Sequence, residues 1–119
     1  AIAGGAIVLY GSGRRRALLY AGDVASVVTT LCRDDFSGYQ AFNLAGQDVE
    51  LADLAHRIVR IAGGGTVRVE PMPHEVAVMD IGDARFDDSA LRARLGGLPT
   101  ADLDTALGET ISYFKERLQ

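Results

Sequence analysis

The 119-residue chain reads as an α/β fold of short strands and about four helices. Two observations point there. Short apolar runs stop at glycine or proline, as strands do, and the stretches between them place apolar residues at helical spacing. The first run, Ala6-Ile7-Val8-Leu9-Tyr10, enters Gly11-Ser12-Gly13-Arg14-Arg15-Arg16, and residues 17–20 are apolar again before Gly22. A strand ending in Gly-x-Gly suggests a dinucleotide-binding turn, which needs a third glycine and an immediate helix. Arg16 stands where that glycine belongs, and a second extended run follows. The stretch therefore reads as a β-hairpin whose loop carries three guanidinium groups, an anion-facing loop.

Asp23 can cap a helix that carries Val24, Val27, Val28 and Leu31 on one face. Ala41-Phe42-Asn43-Leu44-Ala45, ending at Gly46, reads as a strand. A second helix starts near Glu50, with Leu51, Leu54, Ala55, Ile58 and Ile61 in register, and Gly63-Gly64-Gly65 ends it. Thr66 to Glu70 is a half-buried strand stopped by Pro71 and Pro73, and residues 76–86 read as extended. Ser89 to Leu95 makes a short helix, and Gly96-Gly97-Leu98-Pro99 a turn. The last helix, from about Leu103, stacks Leu107, Ile111, Phe114 and Leu118 on the same face.

At this length a single domain over residues 1–119 is expected, and 48% hydrophobic residues suffice for a modest core. A net charge of −4 argues against a nucleic-acid protein. No apolar run approaches the roughly 20 residues of a membrane span. One cysteine, Cys32, cannot form an internal disulfide, which suits a reducing cytoplasm, and its helical setting reads as core. The chain opens on Ala1 rather than Met, which fits a trimmed piece of something longer.

The order of features resembles the C-terminal part of the extended short-chain dehydrogenase/reductases, the NAD-dependent nucleotide-sugar epimerases and dehydratases. The matching residues are Tyr10-Gly11-Ser12-Gly13, Arg16, Asp23-Val24, Phe42-Asn43-Leu44-Ala45-Gly46 and Asp53-Leu54-Ala55. They continue with Asp87-Asp88-Ser89, Leu95-Gly96-Gly97-Leu98-Pro99 and Thr110-Ile111-Ser112-Tyr113-Phe114, nearly to the end of the chain. The resemblance implies a substrate-binding region that lacks the Rossmann NAD-binding half. It implies that Leu9, Tyr10 and Gly11 lie along the base of a nucleotide-diphosphate sugar and that Arg16 grips the diphosphate. Guanidinium forks suit phosphate oxygens, and glycines let backbone N–H groups approach. Arg14 and Arg15 read as a solvated tip, while Tyr10 suits core packing or base contact equally.

Departures from the family pattern are specific. Its Arg-Asp-Phe is Arg16-Ala17-Leu18 here, its Ser-Lys is Ser89-Ala90, and its second phosphate arginine falls near Ala77. Arg85 and His74 are nearby, and Asp80-Ile81-Gly82-Asp83 resembles a subgroup lacking that arginine. The glycine loop for NAD and the Tyr-x-x-x-Lys pair are missing, so no catalytic residue and no cofactor are assigned to this chain; NAD belongs to the N-terminal half. Tyr10 and Tyr113 are followed four residues on by Arg14 and Arg117, which stay protonated and trade no protons. His56 and His74 lack metal-ligand spacing, and Asp80, Asp83, Asp87 and Asp88 read as loop and capping residues. The expected partners are a nucleotide-diphosphate sugar and either an NAD-binding half or a second copy of the chain. Nucleic acid and membrane are excluded. A protein-interaction module that kept the fold and lost the ligand is the other reading, favoured by Ala17, Ala77 and Ala90 where the family has polar residues.

Overall fold

A computed structural model describes residues 4–35, 37–80 and 82–117. In chain order the elements are β1 (Ala6–Tyr10), β2 (Arg15–Leu18), α1 (Ala21–Arg33), β3 (Gln47–Glu50), α2 (Leu51–Ala62), β4 (Thr66–Glu70), α3 (His74–Met79), α4 (Ser89–Leu95) and α5 (Leu103–Arg117). This is the expected α/β class, with five helices among the described residues instead of about four. The chain divides into two compact units. The first takes in residues up to Arg16, Val49 to Ala84, and Asp102 onward; the second runs from Ala17 to Asp48 and from Arg85 to Ala101. β2 and β3 pair in a sheet of their own.

In the first unit, β1 pairs with β4 in parallel, Ala6 opposite Thr66 through Tyr10 opposite Glu70. The expected hairpin of β1 with the following run does not form. Gly11 and Gly13 take φ of 76° and 70°, and the Gly11 N–H bonds Glu70 O at 2.9 Å, so the turn extends the parallel ladder. Arg15 and Arg16 consequently sit in a strand, not at a loop tip. The amphipathic helix α2 packs on β1, β4 and α5. Its end is set by Gly63 at φ 78°, with the Gly63 and Gly64 N–H groups returning to Arg60 O and Val59 O. Val49, Ala55, Ala106 and Ile111 are the buried apolar residues here. Along α5, Leu103 and Leu107 are half-buried, whereas Phe114 is exposed; Leu118 lies outside the described residues.

Ion pairs reinforce the α2–α5 contact. Asp104 receives Arg57 Nη1 at 3.0 Å and Arg60 Nη2 at 2.5 Å, and Arg57 Nε also reaches Asp53 at 2.8 Å. Residues 76–86 were expected to be extended, yet α3 covers His74–Met79. The Pro73 carbonyl accepts the Val76 and Ala77 N–H groups, so the proline that ends β4's run also starts this helix. Ile81 lies outside the described residues.

The second unit is built on Val27 of α1 and Leu91 of α4, 4% and 1% exposed. Asp23 does not cap α1: the helix starts at Ala21, and the Asp23 carboxylate accepts the Ala101 N–H at 2.9 Å. Gln47 Nε2 donates to Ala101 O at 2.8 Å, so both polar groups of one peptide residue are fixed by side chains. Cys32 is exposed, contrary to its expected core role, because the helix turns Val27 inward instead. Residues 41–45 do not form the expected strand; β3 begins only at Gln47. Gly46 passes so close to Leu18 that a Cβ there would overlap the Leu18 carbonyl and backbone nitrogen. At α4, Ser89 N–H donates to Asp87 Oδ1 at 2.9 Å and Arg92 Nε to Asp88 Oδ1 at 2.8 Å. These bonds hold both carboxyls below the ordinary aspartate value.

Two stability predictions follow from this packing. Gly46→Ala should destabilise the chain by roughly 2 kcal/mol or more through backbone overlap. Gly63→Ala, with nothing near its Cβ but a positive φ, should cost about 1 kcal/mol. Urea midpoints would rank the two, and a reversed order contradicts the close approach at Gly46. Arg60 and then Arg57 hold the Asp104 carboxyl below its ordinary 3.8. Its stabilisation is therefore complete above that value and fades as pH falls from there toward the lower folded value. Asp104→Asn should lower the urea midpoint at pH 7, and the gap to the parent chain should narrow as pH falls below 3.8.

Candidate functional site

The residues singled out by the sequence, Leu9, Tyr10, Gly11 and Arg16, all lie in the first unit around the C-terminal end of β1. Leu9 is half-buried within the strand, and the Tyr10 ring is 43% exposed at its last position. Gly11 turns the chain directly over Met72; a Cβ there would sit 3.4 Å from the methionine methyl. The Leu51 N–H then bonds Arg14 O at 2.8 Å, which ties the start of α2 to the end of the turn. Arg14 comes just before β2 and Arg16 lies within it, and both side chains reach the same carboxylate.

Their common partner is Asp80, the residue after α3, whose side chain is only 9% exposed. Arg14 Nη1 lies 2.8 Å from Asp80 Oδ2, and Arg16 Nη2 lies 2.6 Å from Asp80 Oδ1. Arg16 Nη1 also donates to Gly82 O and to Arg15 O, both at 2.8 Å, and lies 3.9 Å from Asp83. The Arg15 N–H donates to Asp83 Oδ1 at 3.1 Å. Arg14 Nη2 rests against Met72 Sδ at 3.9 Å. The arrangement is a pair of guanidiniums bridged by one carboxylate, with 36% of Arg14 and 30% of Arg16 still open to solvent. Its chemistry is anion recognition; a permanently charged guanidinium performs no acid–base step.

The sequence reading identified Arg16 but assigned Arg14 to a solvated tip, and it did not connect either to Asp80. The separation of 64 residues between Arg16 and Asp80 leaves no local signal for that contact. Of the two suggested substitutes for the family's second arginine, His74 is exposed at the start of α3, and Arg85 is exposed in the second unit. Arg117 lies 3.8 Å above the Tyr113 ring, a cation–π stack at the end of α5. His56 is exposed on α2, with its Nδ1 2.7 Å from Ala52 O. In the second unit a cavity of about 120 Å³ lies beside Tyr20, Asp23, Gln47, Arg92 and Pro99.

No protein-family model matches the sequence, and no curated protein does either. Solved structures do match. UDP-glucose 4-epimerase with UDP-glucose from the hyperthermophile Thermotoga maritima superposes with a TM-score of 0.76 at 21% identity, over 99% of this chain and 37% of the epimerase. UDP-N-acetylglucosamine 4-epimerase from Methanobrevibacter ruminantium M1, in complex with UDP-N-acetylmuramic acid, gives 0.73 at 20% identity, over 94% and 35%. A GalE-like L-threonine dehydrogenase from Cupriavidus necator gives 0.68 at 20% identity, over 99% and 42%. The fold is that of the C-terminal part of extended short-chain dehydrogenase/reductases, and the chain spans a little over a third of the length of these structures.

Proposed function

We propose that this chain is the substrate-side part of an NAD-dependent nucleotide-sugar epimerase or dehydratase acting in the cytoplasm. It binds the nucleotide diphosphate and is not catalytic alone. The observation that carries the reading is the guanidinium cluster that follows the turn at the end of β1, where Tyr10 is exposed at the last strand position, within this fold. Leu9, Tyr10 and Gly11 run along the base, and Arg16 contacts the diphosphate. NAD and the proton-transfer residues belong to an N-terminal half, which supplies the redox chemistry when bound. Support comes from the two solved epimerases of the same fold, one holding UDP-glucose and the other UDP-N-acetylmuramic acid.

Titration of the 119-residue chain with UDP- and TDP-sugars, followed by amide chemical shifts, tests this. Shifts confined to residues 10–16 are the expected result, and Arg16→Ala should abolish them. Silence at about 1 mM ligand, a weak affinity by any measure, rejects nucleotide binding. A protein-interaction module is the second reading, and the engagement of Arg16 with Asp80 favours it, since a guanidinium spent on a carboxylate has less to offer a phosphate. Under that reading Arg16→Ala leaves the nucleotide response unchanged.

An exposed set of apolar side chains in the second unit, Val28 at 52%, Tyr39 at 92% and Phe86 at 55%, suits a covering partner: the NAD-binding half, or another copy in its absence. Sedimentation over a concentration series should show self-association by about 0.5 mM, within the range of weak interfaces. A clean monomer there removes the second copy from the proposal.

A further inference from the structure

We infer that Asp80 is a positioning residue that locks Arg14 and Arg16 into a single two-pronged diphosphate grip, with Arg14 supplying the second guanidinium. The inference rests on the nucleotide-diphosphate reading above and adds two residues to it. Each oxygen of the Asp80 carboxylate faces a different arginine, at 2.8 and 2.6 Å, and the side chain is 9% exposed. Arg16 Nη2 donates a hydrogen bond to Oδ1, which restricts that guanidinium plane, whereas Arg14 Nη1 meets Oδ2 as an ion pair without hydrogen-bond geometry.

Arg14 and Arg16 share Asp80, and Asp83 lies 3.9 Å from Arg16 Nη1, so two guanidiniums face two carboxylates. Bonds to described residues engage Arg16 Nη1 and one hydrogen of Nη2. The Arg16 Nε hydrogen and the other Nη2 hydrogen have no partner among the described residues. Arg14 is paired through Nη1, and among the described residues its Nη2 meets the thioether of Met72, a weak acceptor. Each guanidinium is thus held on one side and keeps donors on the other. A diphosphate has oxygens on two adjacent phosphorus atoms and can take both prongs; a monophosphate has fewer oxygens to divide between them.

The three roles open to Asp80 give different signs. As a mere counter-charge, or as a lock that competes with the ligand, its loss would leave the arginines more positive and strengthen anion binding. As a positioning residue, its loss weakens binding even though the site gains positive charge. Calorimetric titration with inorganic pyrophosphate, inorganic phosphate, UDP and UMP should be run on the parent chain and on Asp80→Asn, Arg14→Ala and the double variant. Expected results are pyrophosphate and UDP binding at least several-fold tighter than phosphate and UMP, and a loss of roughly tenfold for Arg14→Ala, the scale of one charge-assisted hydrogen bond. Asp80→Asn should also weaken binding, and Arg14→Ala should cost much less in the Asp80→Asn background, the coupling a shared unit predicts.

Pyrophosphate binding without UDP preference would reject the nucleotide reading and leave the grip standing. UDP binding that is indifferent to Arg14→Ala, or tightened by Asp80→Asn, would overturn the grip and leave the nucleotide reading standing. No pyrophosphate response in the parent chain overturns the grip outright. Should Asp80→Asn fail to fold, Arg14→Lys decides instead: it keeps the charge and loses the fork, so an unchanged pyrophosphate affinity overturns the inference.

Discussion

The parallel pairing of β1 with β4 is the constraint from which the rest follows. An antiparallel pair can be closed by a two-residue turn, but a parallel pair needs a long crossover. Here the crossover contains β2, α1, β3 and α2. Tyr10 ends opposite Glu70, the Gly11 N–H continues the ladder to Glu70 O, and the chain does not fold back beside β1. It leaves through two left-handed glycines, and Arg15 and Arg16 enter a different sheet. The same register fixes where the chain leaves β4 toward Met72, α3 and finally Asp80. Arg14 and Arg16 therefore meet Asp80 through backbone geometry laid down at the ends of two neighbouring strands.

The hydrogen bonds of the second unit follow a different logic. Asp23 and Gln47 bracket the Ala101 peptide groups, donor to carboxylate and carbonyl to amide. A loop residue with both main-chain polar groups satisfied by side chains loses little on leaving water. Arg94 adds a 2.6 Å bond to Asp34, tying the end of α1 to α4. With Val27 and Leu91 as its buried apolar residues, this unit relies on directed polar contacts more than on core volume.

Much of this was legible in the sequence where the signal is local. The helices α2 and α5 announce themselves through apolar spacing and, for α2, through the glycines that end it. Thr66–Glu70 and Ser89–Leu95 fall where alternation, proline and glycine put them. The failures have a common cause, which is that the deciding partner is far away in sequence. Residues 41–45 are apolar enough for a strand, but Gly46 must press against Leu18, so pairing starts one residue later. The six residues of α3 carry two valines, which suit a strand, and only the Pro73 carbonyl tips them into a helical turn. For the candidate site, Arg16 could be found by its motif, whereas Asp80 could not, because a carboxylate in a loop carries no mark of which cation it will meet.

Lys115 is the chain's single lysine, and its ammonium donates to Ala62 O at 2.8 Å, at the C-terminal end of α2. A cation there complements the partial negative charge of a helix end. The other basic side chains, apart from two histidines, are arginines, which amine-directed chemistry spares. Acylating reagents and lysine-modifying enzymes therefore meet one side-chain target among the described residues. Reaction there removes a charge from the junction of α2 and α5, so amine labelling of this chain is also a perturbation of its helix packing.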